Sequence, residues 1–333
     1  MKVTVIATVL NEDKNIRCLL DSLAAQTRPP DEVVIVDGGS ADDTVAVLEA
    51  YAAQGRLPLR VISRPGANIS QGRNAAVAAA TGEVIASTDA GVRLSPDWLA
   101  ALVEPFERPA AGRVAVVSGF FLPDPQTDFE TALGATTLPV LEEVVPGRFL
   151  PSSRSVAYRK AAARAVGGYP EWLDYCEDLV FDFKLRQRYG PFPFAPRAVA
   201  YFRPRPNLRA FIKQYYRYAR GDGKAGLWFR RHLIRYLTYL VAMPLLIALA
   251  LLHSPWWGLS FLAGGAFVFG TPFKRLWTAT RGWGFLRRLR AFTWPPVIRL
   301  AGDVAKMVGY PAGVWWRLRR RAGRSWRERA APD

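Results

Sequence analysis

Residues 3–10, Val-Thr-Val-Ile-Ala-Thr-Val-Leu, form an uncharged run rich in β-branched side chains. Such a run predicts a strand buried on both faces of a parallel sheet. Behind it, Ile16, Leu19, Leu20 and Leu23 recur at helical spacing, and Asn11 or Asp13 can cap the helix that carries them. The same alternation continues downstream. Strands are predicted over 33–36, 59–62, 84–88 and 114–118, and helices over 44–51, 71–80 and about 96–106. Strands alternating with helices at this spacing predict an α/β fold, a mostly parallel sheet with helices on both faces. In such sheets ligands bind beyond the carboxyl ends of the strands, where Asp37 and Asp89 fall. Residues 119–157 are rich in Pro, Thr and Gly with weak periodicity, which predicts loops and one short helix.

The pattern then changes. A helix is predicted over 179–189 and an amphipathic helix with a basic face over 207–220. From Tyr236 to Phe273, 38 residues pass without a Lys, Arg, Asp or Glu. Two apolar arms, 236–252 and 256–270, are separated by His253-Ser254-Pro255, and Tyr239, Trp256 and Trp257 suit interfacial anchoring. This predicts a membrane hairpin with arms somewhat short for the roughly 20 residues of a full span. With both ends on the cytoplasmic side, Arg230, Arg231, Arg235, Lys274 and Arg275 all stay inside. Residues 291–316 mix Trp294, Val297, Ile298 and Trp315 with Arg299, Asp303 and Lys306, as an in-plane amphipathic helix would. The predicted organisation is therefore a catalytic domain over 1–225, a membrane-associated region over 226–316 and a basic tail over 317–333.

Charge sharpens the division. The net charge of +17 divides into −4 over residues 1–202 and +21 over residues 203–333. Basic residues that flank apolar stretches point to anionic lipid headgroups rather than to nucleic acid. The two cysteines, Cys18 and Cys176, and the lack of a signal-peptide pattern over the first ten residues fit a reducing compartment, with the catalytic domain on the cytoplasmic side of the membrane. His232 and His253 lie far from the acidic motifs, which argues against a histidine metal site.

Three acidic motifs carry the candidate chemistry: Asp37-Gly38-Gly39-Ser40, Thr88-Asp89-Ala90-Gly91 and Glu177-Asp178. No glycine precedes Gly38, so the first strand–helix turn is not a dinucleotide-binding loop, and no phosphate-binding P-loop motif occurs. A nucleotide would be held by side chains and backbone at strand ends. Each residue also has a plain structural reading. Asp89 can start a turn, Arg73 can pair on a helix surface, Glu177 and Asp178 can favour a helix N-terminus, and Cys176 can simply pack.

Taken together, Thr8-x-x-Asn11-Glu12, Ser22-Leu23-x-x-Gln26, Val36-Asp37-Gly-Gly-Ser40, Gly72-Arg73-Asn74, Thr88-Asp89-Ala90 and Gly167-Gly168-Tyr169 ahead of Glu177-Asp178 resemble family-2 glycosyltransferases of the GT-A fold. Gln214-Tyr-Tyr-Arg217-Tyr218 resembles the Q-x-x-R-W element of membrane-bound members, with Tyr in place of Trp. The layout is similar to bacterial exopolysaccharide enzymes. The resemblance implies an inverting transferase of the hexosyltransferase type, moving a sugar from a nucleotide-diphosphate donor to a hydroxyl of a lipid-linked or membrane-proximal glycan. A polyprenyl-phosphate sugar synthase and a catalytically inactive nucleotide-binding module are the alternatives. It further implies nucleoside contacts from Thr8, Asn11, Glu12 and Asp37 and phosphate contact from Arg73. Asp178 would be the base beside Glu177, and Gln214, Arg217 and Tyr218 would lie at the diphosphate or acceptor. Asp89 matches the first acid of the family's D-x-D metal motif, implying Mg²⁺ or Mn²⁺, but Gly91 stands where the second acid belongs.

Overall fold

A computed structural model describes residues 1–108 and 114–320, arranged as two compact units. The first comprises Met1–Asp124 with Val140–Arg203, and the second Pro125–Pro139 with the chain from Pro204 onward. In chain order the first unit holds β1 (Val3–Val9), α1 (Ile16–Ala24), β2 (Glu32–Asp37), α2 (Thr44–Ala53), β3 (Leu59–Ser63), α3 (Ile69–Ala79), β4 (Val84–Ser87), β5 (Val92–Leu94), α4 (Trp98–Glu107) and β6 (Val116–Pro123). After α5 (Asp128–Thr137), which belongs to the second unit, the first resumes with β7 (Val156–Arg159), α6 (Lys160–Ala165), α7 (Glu177–Tyr189) and β8 (Phe194–Phe202). The second unit continues with α8 (Leu208–Ala225), α9 (Phe229–Leu237), α10 (Met243–Leu252), α11 (Leu259–Ala279), α12 (Phe285–Phe292) and α13 (Trp294–Arg319).

The strands form one sheet in the order β3-β2-β1-β4-β7-β6-β8-β5. β3, β2, β1 and β4 pair in parallel, as the buried apolar runs predict. The other half corrects the expectation of a mostly parallel sheet. β7 runs antiparallel to both β4 and β6, β8 lies parallel to β6, and β5 lies antiparallel to β8. Antiparallel neighbours need no crossover helix, so this half leaves no βαβ rhythm in the sequence. The stretch 119–157, expected as loops with one short helix, contains the end of β6, all of α5 and the start of β7.

Successive side chains of β1 point to opposite faces, so Val3, Val5, Ala7 and Val9 enter one core layer and Ile6 the other. The first layer packs Leu19, Leu20 and Leu23 of α1 with Trp98, Leu99 and Leu102 of α4. The second gathers Val34, Val36, Ala76, Tyr158, Tyr169 and Phe181. Each fully buried large apolar side chain contributes about 1.5–3 kcal/mol.

In the second unit, α13 lies against α8 at backbone distance. A Cβ placed on Gly309 would strike the Tyr216 carbonyl oxygen, one on Gly313 the Arg220 carbonyl oxygen, and one on Gly223 the Tyr310 carbonyl oxygen. Residues 291–316, expected as a helix lying in the membrane plane, thus pack one face of α13 against protein through Ile298, Gly302, Ala305, Gly309 and Gly313. The other face stays open, with Val297, Leu300, Val304, Val308, Trp315 and Leu318 exposed. The basic tail expected from 317 begins inside α13, and residues from 321 on lie outside the described chain. Asp303 of α13 is 5% exposed and accepts hydrogen bonds from Arg235 Nε at 2.7 Å, Arg299 Nε at 3.1 Å and the Tyr239 hydroxyl at 3.0 Å.

α9, a π-helical turn over Thr238–Ala242 and α10 join into one helix, Phe229–Leu252. At 24 residues it is longer than the first predicted arm, and none of its apolar window is buried. It is the one helix among the described residues long and apolar enough to cross a membrane. The second predicted arm starts as a 3₁₀ turn, Pro255–Gly258, and runs into α11, whose Leu276 is buried and whose Arg275 donates to the Leu138 carbonyl at 2.6 Å.

Candidate active site at the strand ends

The parallel register sets the site. β2, β1 and β4 are neighbours running the same way, so Asp37, the segment 10–12 and Asp89 emerge along one edge of the sheet. The order of connections reverses between β1 and β4, where such folds open a ligand crevice.

Asp37 is 1% exposed and shapes its own loop. Its carboxylate accepts from Gly39 N at 2.9 Å, Ser40 N at 3.1 Å and Ser40 Oγ at 2.5 Å. Asn11 sits in the left-handed region at φ 55°, with Oδ1 accepting from Ala41 N at 2.8 Å. Its own N–H donates to Ser40 Oγ at 2.9 Å. The β1 and β2 loops are therefore sewn together before any ligand arrives. Glu12 donates its N–H to Thr44 Oγ1 at 2.8 Å and accepts from Asn15 Nδ2 at 2.9 Å. Thr8 is half-buried near the end of β1.

Arg73, whose motif implies contact with donor phosphates, is 2% exposed and faces carboxylates with both terminal nitrogens. Nη1 donates to Glu177 Oε1 at 2.6 Å and Nη2 to Asp89 Oδ1 at 3.0 Å. Burial alone would lower its pKa, but Glu177 and Asp89 outweigh that and hold the guanidinium charged. Tyr169 lies beneath it, ring centroid 5.3 Å from Cζ, and stacks on Phe181 at 4.1 Å. Asn74, one residue on, clasps the Tyr169 backbone with Oδ1 on its N–H at 2.8 Å and Nδ2 on its carbonyl at 2.9 Å. Much of the Gly72-Arg73-Asn74 and Gly167-Gly168-Tyr169 signal is thus scaffolding for Arg73.

Glu177 and Asp178 open α7 behind Cys176, which is left-handed at φ 64°. A non-glycine residue held there costs of order 1–3 kcal/mol, and such strain gathers at functional sites. The two acids differ sharply. Glu177 is 6% exposed and locked to Arg73, whereas Asp178 is half-buried at the first turn, where the helix dipole favours negative charge. Burial, then the charge of Asp178, pushes the Glu177 carboxyl up to about 7 against the pull of Arg73. Asp182, one turn on and fully enclosed, is raised well above its ordinary value mainly by burial, and its Oδ2 has no hydrogen-bond partner.

A raised folded pKa means that the folded chain binds the proton more tightly. The stabilisation from Glu177 is therefore complete below pH 4.5 and is lost as pH rises towards about 7. The melting temperature should fall between pH 5 and pH 7.5, and Glu177→Gln should flatten that slope. An identical slope in the variant would acquit Glu177.

Arg154, which carries no motif in the sequence, also reaches Asp89, its Nε 3.5 Å from Oδ2. Only the folded β7 approach brings it there. Gln214, Arg217 and Tyr218 belong to the second unit, half-buried on α8, with Gln214 Nε2 donating to the Tyr218 hydroxyl at 2.7 Å.

The donor set does not suit a resident divalent cation. Asp89 is the single acid of its motif, both its oxygens face guanidinium groups, and Gly91 offers none. Among the described residues no group of three His, Cys, Asp or Glu side chains could hold a metal ion.

The mixed α/β sheet, with carboxylates following β1, β2 and β4 and an acidic pair opening α7, has a GT-A-like fold. Residues 4–149 match the model of glycosyl transferase family 2. The chain is 38% identical over 109 residues to an uncharacterized glycosyltransferase of Nostoc, a match covering 32% of this chain and 33% of that protein. It is 27% identical over 232 residues to the succinoglycan biosynthesis protein ExoA of Rhizobium meliloti, covering 66% of this chain and 68% of ExoA. The mannosyltransferase PcManGT of Pyrobaculum calidifontis, solved with GDP-Man and Mn²⁺, shares the fold at a TM-score of 0.56 and 20% identity, covering 95% of this chain and 86% of that one. The match thus spans about a third of the Nostoc protein's length. Residues 4–149 thus form a domain similar to those of glycosyltransferase family 2.

Proposed function

We propose that the protein is an inverting glycosyltransferase that moves a sugar from a nucleotide-diphosphate donor to a hydroxyl of a lipid-linked or membrane-proximal glycan. The observation that carries this is the Arg73 clamp. It brings Asp89, at the end of β4, together with an acidic pair 104 residues further from Arg73 in the sequence. Thr8, Asn11, Glu12 and Asp37 line the strand-end loops on the nucleoside side. Asp178, the more open of the two α7 acids, takes the proton of the acceptor hydroxyl as its oxygen attacks the anomeric carbon. The bond from that carbon to the diphosphate oxygen breaks on the opposite face, and the nucleoside diphosphate leaves. Glu177 and Arg73 fix the pair. Gln214, Arg217 and Tyr218 serve the diphosphate or acceptor from α8.

A lipid-linked acceptor is supported by the exposed apolar helix Phe229–Leu252 and by the +21 charge of residues 203–333. Hairpin insertion with the catalytic unit on the cytoplasmic side follows the same charge pattern. The name of ExoA supports polysaccharide assembly as the setting.

The test uses the full chain in membranes, given a panel of nucleotide sugars with and without lipid-linked glycans extracted from the source membranes. Transfer of one sugar to the lipid fraction, with the anomeric configuration inverted, is expected. Transfer only to water-soluble acceptors would remove the membrane acceptor, and retention of configuration would remove the single-displacement mechanism.

A further inference from the structure

A nucleotide-sugar donor brings a diphosphate, and its charge grows as the sugar leaves. A site needs positive charge at that point. A divalent cation supplies it when carboxylate oxygens can enter its shell, six oxygens in the case of Mg²⁺. Here Asp89 is already engaged. Arg73 Nη2 lies 3.0 Å from Oδ1 and Arg154 Nε 3.5 Å from Oδ2. A dication on this carboxylate would stand against two guanidinium groups. Position 91 adds no ligand. A Cβ placed there would meet only Glu12 Oε2, at 3.8 Å, so an acid at 91 would face a like charge.

The two arginines are not equivalent. Arg73 has a side chain 3% exposed and divided between Asp89 and Glu177. The Arg154 side chain is 23% exposed and is the more open of the two. It is also held in place. Nη1 donates to Ser152 Oγ at 3.1 Å, and the group lies over the Phe202 ring, 4.4 Å from the centroid. A planar, permanently charged fork fixed on an aromatic face is suited to phosphate oxygens.

We infer that Arg154 binds the donor diphosphate in place of a divalent metal, and that Asp89 is a positioning residue that orients Arg154 and Arg73 rather than a metal ligand. The inference rests on the nucleotide-sugar reading above. It assigns to a residue outside every motif the charge that the second motif acid would have recruited through an ion.

Binding measurements on the full chain in detergent separate the possibilities. UDP, GDP, ADP, CDP and dTDP are titrated by calorimetry in EDTA and again in MnCl₂. One of them should bind in EDTA, with a dissociation constant within about threefold of that in Mn²⁺. Arg154→Gln should weaken that binding about 10- to 100-fold, the range expected for a lost charge-assisted contact, and Arg154→Lys should restore part of it. Binding that appears only with Mn²⁺ would overturn the inference on the wild-type protein alone, whatever the variants do. Wild-type affinity in a folded Arg154→Gln protein would overturn it equally. Failure of all five nucleotides in both buffers would overturn the nucleotide-sugar reading itself, and the inference with it.

Discussion

Asp178→Asn should lower turnover by about two orders of magnitude or more while leaving the affinity for nucleoside diphosphate unchanged. The substitution keeps the shape of the side chain and its place at the start of α7, where Oδ1 accepts from Leu179 N at 2.8 Å. It removes the capacity to take a proton. Asp182→Asn is the matched comparison one helical turn away. Asp182 is 3% exposed and cannot meet an acceptor, so its variant should turn over at close to the wild-type rate. Near-normal turnover in Asp178→Asn, or a large loss in Asp182→Asn with Asp178 intact, would reverse the assignment. Both effects are to be read from initial rates at saturating donor.

Gly309→Ala should be among the most damaging single methyls in the described residues. The added Cβ would collide with the Tyr216 carbonyl oxygen, a backbone atom on an α-helix that has no rotamer into which to retreat. Relief requires α13 to lift from α8, so the cost lies at or above the usual 1–3 kcal/mol of overpacking. Gly313→Ala meets the Arg220 carbonyl in the same way, and the double variant should not assemble the helical unit. Gly265→Ala in α11 is the control, because nothing lies within 4 Å of its Cβ position. Melting and limited proteolysis in detergent should show the unit containing α8 cleaved in Gly309→Ala and intact in Gly265→Ala. Equal melting temperatures in the two variants would mean that the helices are not in contact as described.

What the sequence discloses depends on the kind of order involved. β1, β2 and β4 are largely apolar runs buried on both faces, and their predicted limits, like those of the edge strand β3, fall within about two residues of those observed. β5 and β7 have three and four residues, too few to display a period. β8 contains Pro196 and Arg197, which disguise a strand as a loop. At the site, the acids stood out because they follow strands. Asp37 proves to hold its own loop and Asn11 to tie the β1 loop to it, a task invisible in a list of motif residues. Arg154 is hidden for the opposite reason. Its partner, Asp89, is distant in the chain, and no local pattern marks an arginine that acts through tertiary geometry. The exposed face of α13 reads as amphipathic in the sequence, but a helical period does not distinguish a protein partner from lipid.

The α8–α13 pairing has a consequence for the order in which the protein is made. The two helices are separated by about 70 residues of chain, and those intervening residues include the apolar helix Phe229–Leu252. At roughly 5–20 residues per second, several seconds pass between the emergence of α8 and that of its partner. During that interval α8 has no α13 to cover it, while the exposed apolar helix behind it has already been made. Completion of the helical unit therefore comes last, so a ribosome that stops before residue 294 leaves the sheet of the first unit already made and a second unit that cannot close.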